Sequence, residues 1–135
     1  MDKQAALAVI RHTEAEAGGT FYGFGGPAVR MKGGFMVGGI VPTAIVAWGQ
    51  TDNTLVKALQ DFTRQHKAAL ADSNRYLGTW VDDKGLLYID VSEVVYSKYQ
   101  AVVLGLSRGE LAIWDNRGEE IDLLPFRQLL CDAID

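Results

Sequence analysis

The sequence predicts a single α+β domain over residues 1–135, with a mixed or antiparallel sheet of about five to six strands packed against two to four helices. Three observations carry this reading. Helical periodicity is confined to a few stretches, the clearest from Asn53 to Ala71, where Leu55, Leu59, Phe62, His66, Ala69 and Leu70 recur at three and four positions. Runs of aromatic and β-branched residues, punctuated by glycine pairs, fill most of the remainder. No repeat, low-complexity tract or linker divides the chain, whose length suits one domain that buries roughly two thirds of its unfolded surface.

In chain order, Lys3 to Ala17 reads as a helix, with Asp2 as N-cap, Ala6, Val9, Ile10 and Thr13 on one face, and Gly18-Gly19 as its end. Thr20 to Phe24 and Ala28 to Lys32 are short extended pieces, and Phe35 to Trp48 is a strand interrupted near Pro42. That last run is apolar on both alternating faces. It implies a central strand covered on both sides, or one covered by a second subunit of a homo-oligomer. The cap residues Thr51-Asp52-Asn53 open the long helix. Tyr76 to Val81 and Leu86 to Val91 then flank Asp82-Asp83-Lys84-Gly85, a hairpin whose glycine suits a left-handed turn position. Ser97 and Gln100 form a capping box for a helix ending at Arg108-Gly109. Glu110 to Asp115 is a third strand, turned by Asn116-Arg117-Gly118, so hairpin, helix and strand make a C-terminal ββαβ unit. Phe126 to Ile134 closes the chain as a short helix after Pro125.

Composition narrows the setting. With 48% hydrophobic and 22% charged residues the chain is of ordinary globular type, and glycine is its one excess. A single cysteine, Cys131, allows neither an internal disulfide nor a cysteine metal site, and an acid at position 2 is wrong for a signal peptide. A bacterial cytoplasmic location is expected. The longest uncharged run, Gly33 to Thr51, holds five glycines and Pro42 and is too short and broken for a membrane helix. Net charge is -4 and unevenly spread. Ala17 to Thr51 contains no acid and only Arg30 and Lys32, whereas Gly109 to Asp135 has seven acids against Arg117 and Arg127. Two cations are far from a nucleic-acid footprint.

The glycine segment raises the sharpest chemical question, because GFGGPA at Gly23 to Ala28 formally satisfies a dinucleotide fingerprint. Gly33-Gly34 leaves no room for the helix that would point its N-terminus at a pyrophosphate, and no acid follows at the expected distance. Lys32 is followed by glycine, so a Walker sequence also fails. His12-Thr13-Glu14 matches half of a zinc deaminase motif whose other half needs two cysteines. His66 is expected at the core boundary, His12 exposed on the first helix, and Cys131 in the core beside Leu129, Leu130 and Ile134. The carboxylates Asp82, Asp83, Asp90, Asp115 and Glu119-Glu120 lie near strand ends without a spacing that fixes a pair, and they read as turn and solvent residues. Trp80, Tyr88 and Trp114 form a stacking platform if they share an exposed face, but such clusters are more often core, and core is the expectation. No catalytic residue, metal ligand or cofactor is assigned.

The succession RYLGTWVDDKGLLYIDVSEVV, an Ala-centred helix and GELAIWDNRGEEI resembles a family of small uncharacterised proteins of actinobacteriophages and actinobacterial mobile elements. The likeness runs from Tyr76 to Ile121 and rests on Gly78, Trp80, Tyr88, Asp90, Ala112, Ile113 and Trp114. The family's helix often starts D-R-x-E-A, where this chain has Tyr96-Ser97-Lys98-Tyr99-Gln100-Ala101. The resemblance implies a phage or mobile-element setting and attaches no activity. The function expected is that of a non-enzymatic accessory protein that binds a host or phage protein and modulates growth or defence. The alternative is a protein that binds or sequesters a small anionic, nucleotide-like ligand. Either would use the acid-free segment, with Tyr22, Phe24, Arg30 and Lys32 as the binding residues. An enzyme and a structural virion component rank behind these two.

Overall fold

The computed structural model describes residues 1–134. Asp2 caps the first helix, α1 (Lys3–Glu16), its carboxylate accepting the Ala5 N–H at 2.7 Å. Ala6, Val9, Ile10 and Thr13 form the buried stripe that their spacing predicts. The helix end differs from expectation: Ala17, not a glycine, takes the left-handed conformation at φ 63°. Gly18 is already engaged as the first residue of β1 (Gly18–Phe21), opposite Trp80. Residues 22–34 then form neither helix nor strand. The piece expected at Ala28 to Lys32 attaches to β1 through the Val29 N–H, which donates to the Thr20 carbonyl at 2.7 Å, without becoming a strand.

The apolar run does divide around Pro42, into β2 (Phe35–Val37) and β3 (Ala44–Ala47). The long helix is two helices. The first, α2 (Asp52–Gln65), starts from Thr51, whose hydroxyl accepts the Thr54 N–H. The chain leaves helical geometry at His66, φ -108° and ψ 25°, where the ring packs on Phe62, and resumes as α3 (Lys67–Leu70). The hairpin of β4 (Arg75–Val81) and β5 (Leu86–Val95) turns as predicted, with Gly85 at φ 78° and the Asp82 carboxylate accepting from the Lys84 and Leu86 N–H groups. Ser97 caps α4 (Lys98–Ser107). Two short strands, β6 (Ala112–Asp115) and β7 (Glu119–Asp122), precede α5 (Leu124–Ile134). The strand at Glu119 was not expected.

All strand pairs are antiparallel, in the order β1-β4-β5-β2-β6-β7, with β3 also on β5. Because β2 lies between β5 and β6, those two run parallel and α4 crosses from one to the other. The C-terminal unit is thus split by a strand from the glycine-rich half. β2 and β3 share one edge of β5, end to end. Val37 faces Glu93 and Ala44 faces Ile89, so six residues, 38–43, oppose three, 90–92. This extended bulge opens the ladder beside Asp90.

Two apolar clusters form the core. α1 and α2 pack on Phe21, Leu77, Leu87, Ile89 and Val91, while α4 and Phe126 of α5 pack around Phe35, Val37, Ile113 and Leu123. Val37 stands opposite Glu93, two residues from Val91, so both clusters lie on the same side of the sheet. The seam between them is polar. Glu93, almost fully buried, accepts from the Arg108 guanidinium and lies 3.8 Å from the Arg75 Nε, which has no other partner among the described residues. Arg108 also donates to the Gly38 carbonyl at 3.3 Å, tying the bulge to the end of α4. No helix among the described residues is long and apolar enough to cross a membrane.

Candidate functional site

No helix packs on the other side of the sheet. On β4 and β5 that side presents Tyr76, Gly78 and Trp80 beside Leu86, Tyr88, Asp90, Ser92 and Val94. Trp80 faces Tyr88, and Tyr88 faces Ile45 on β3, making a cross-strand row of three large side chains. The Trp80 and Tyr88 rings are 4.9 Å apart at 41°, and Trp80 and Ile45 are 56% and 55% exposed. A second row, Val94, Met36 and Trp114, crosses the sheet about 20 Å further along β5, taking ~3.3 Å per residue. Val94 and Met36 are buried there, and Trp114 is 45% exposed.

Trp80 and Trp114 are therefore not core residues, as their type suggested. They sit at even-numbered positions, and the helices pack on the odd-numbered side. They share a face without forming one platform.

Asp90 lies between the two rows. Any Cβ at Gly78 would collide with its Oδ1, so the carboxylate leans across β4 into the space that glycine leaves empty. Gly38 of the bulge makes the same allowance on the other side, where a Cβ would sit 2.5 Å from Glu110 Oε1 and 3.5 Å from Asp90 Oδ2. Glu110 thus reaches over the bulge toward Asp90. Burial, and next the Glu110 charge, push the Asp90 carboxyl up to about 6, against a weak opposing bond from the Ser92 hydroxyl at 3.5 Å. Burial also raises Glu110, opposed by Arg108. At the turn, Asp82 is held below the usual carboxylate range, first by the Leu86 N–H and then by the Tyr88 hydroxyl and the Lys84 N–H, with the Lys84 charge adding to them. One acid beside the aromatic row is thus firmly ionised, and the other titrates near neutrality.

The residues singled out in the glycine segment are all exposed. Tyr22 and Phe24 stack at 5.3 Å and 10°, exposed, with Tyr76 at 5.9 Å from Tyr22. Arg30 and Lys32 are exposed and take part in no ion pair among the described residues. No helix begins within residues 23–34, which removes the dinucleotide fingerprint on geometric grounds.

Several single-residue expectations need correcting. His12 is half-buried, edge-on to Phe21 at 5.5 Å, because its helix position turns it toward β1. Cys131 is exposed, because α5 docks through Phe126 and leaves Leu129, Leu130 and Cys131 outward. Asp115 is buried and held low by Arg117, so it is neither a solvent residue nor part of a carboxylate pair. Glu110 was overlooked. Only the fold brings it within reach of a residue twenty positions earlier.

Chemically, Asp90 is a carboxyl able to release a proton near pH 6, with the Glu110 charge nearby helping to hold it protonated, and the aromatic row offers faces for stacking or for a cation. No group of three His, Cys, Asp or Glu side chains that could hold a metal exists among the described residues. No family model matches the sequence, and no curated protein or solved structure is significantly similar to it.

Proposed function

We propose that this chain is a non-enzymatic protein-binding domain, an accessory protein of a phage or mobile element whose contact surface is the helix-free face of the sheet. One observation carries the reading: the solvent side of an antiparallel sheet, where polar residues are the rule, here exposes Trp80 and Ile45 beside Tyr88, with Trp114 beyond. Aromatic residues on a rigid sheet are the kind of anchor that dominates protein interfaces. The likeness of Tyr76 to Ile121 to small actinobacteriophage proteins supports the setting, and host growth or defence is the process such a contact would modulate.

The test is affinity capture from an actinobacterial lysate with the natural chain and with a Trp80→Ala, Ile45→Ser double variant. A protein recovered by the first and lost from the second is the expected result. Equal recovery by both, or no specific partner for either, overturns the proposal.

A further inference from the structure

The helix-free face has a charge as well as a shape. By register, its strand positions include the acids Asp90, Glu120 and Asp122, and no lysine or arginine among the described residues. Asp82 adds a carboxylate at the hairpin turn, bonded to the Tyr88 hydroxyl at 3.0 Å. Lys84 in the same turn is the cation beside it. The row Trp80, Tyr88, Ile45 is thus flanked by Asp82 on one side and Asp90 on the other.

We infer that this row receives a basic, extended segment of a partner protein, with a lysine or arginine lying over the Trp80 and Tyr88 rings between the two carboxylates. The inference rests on the protein-binding reading above and specifies its partner. Charge complementarity supplies the argument. A cation over an indole gains from the ring quadrupole, and its aliphatic stem covers apolar surface that is otherwise wet. The row spans three strands at about 4.8 Å spacing, room for several side chains and more than a lone amine fills. Nucleic acid is repelled by the same charges, and an acidic segment would meet Asp82 and Asp90 with Lys84 as the one cation of the turn to set against them.

Two short synthetic peptides test this, one alternating lysine with leucine and one alternating glutamate with leucine, titrated into isotopically labelled protein at pH 7.5. The lysine peptide is expected to shift the amides of Trp80, Tyr88 and Asp90, to weaken at least about threefold when salt rises several-fold, and to weaken by a similar factor in Asp90→Asn. Trp80→Ala removes the ring without touching the acids and is expected to weaken it more. Equal binding of both peptides, shifts centred on α4 instead, or no shift at Trp80 or Tyr88 up to about 1 mM peptide overturns the inference. So does concentration-dependent self-association that covers the same amides, since the occupant is then a second copy. A protein captured through Trp80 that docks by a neutral or acidic segment defeats this inference and leaves the protein-binding reading intact.

Discussion

The two sides of the sheet are made by the same strands, one residue out of step, and differ in almost everything else. Leu77, Leu87, Ile89 and Val91 are fully buried under α1 and α2, whereas Trp80, Tyr88 and Asp90, their neighbours in sequence, face away from every helix. The difference teaches that residue type alone does not say which side is inside. Both sides are rich in apolar groups, and what separates them is that one matches the helical stripes of α1 and α2 and pairs its acids Glu93 and Asp115 with arginines, whereas Asp90 on the other has no ion-pair partner among the described residues.

The largest effect that sharpens this contrast is Phe21→Ala. Phe21 is fully buried, and its loss is expected to cost about 3–5 kcal/mol in urea unfolding. Next comes the seam between the two cores. Arg108→Ala strips the buried Glu93 carboxylate of its guanidinium, leaving Arg75 at 3.8 Å, and is expected to cost about 3 kcal/mol. Adding Glu93→Leu should restore most of that loss in the same assay.

Asp90 gives a pH signature to the helix-free side. Its folded carboxyl titrates at about 6, above the ordinary value of 3.8, so folding favours the neutral form. The stability this contributes is fully present below pH 4 and is lost as pH rises through 6. Two pKa units at ~1.4 kcal/mol each bound the loss at about 3 kcal/mol. Asp90→Asn is expected to flatten the thermal stability profile between pH 4 and 6 and to be more stable than the natural chain at pH 7. A profile unchanged by the substitution would refute the assignment. The smallest effect belongs to Trp80→Ala, expected to change stability by less than about 1 kcal/mol because the ring is more than half exposed. A loss comparable to that of Phe21→Ala would mean that the two sides are not different in kind.

Much of this architecture was legible in the residues. Asp2, Thr51 and Ser97 announce helix starts because a short polar side chain followed by an apolar period has few other uses, and Gly85 marks the hairpin because the turn needs a left-handed residue. Pro42 and the paired glycines foretold the break between β2 and β3. β7 escaped because Glu119, Glu120 and Asp122 hide a single inward apolar residue, Ile121. The break at His66 escaped because the apolar period runs through it. Of the candidate site, the alternation of Trp80, Tyr88 and Asp90 was visible, but its orientation was not, since nothing local says on which side α1 and α2 will land. The approach of Glu110 to Asp90 depends on a bulge of three extra residues, which no spacing rule encodes.

That bulge has a consequence for how the molecule opens. β5 is the one long strand common to both clusters, and its ladder on the β2–β3 edge is interrupted at residues 90–92. A strand already unzipped on one edge at its middle is a natural border between cooperative units. The smaller cluster, with α4, β6 and β7, can come apart while α1, α2 and the start of β5 persist. Amide hydrogen exchange should divide β5 into two protection classes, Leu87 to Ile89 slow and Val94 to Val95 fast, so that a single strand reports two separate opening free energies.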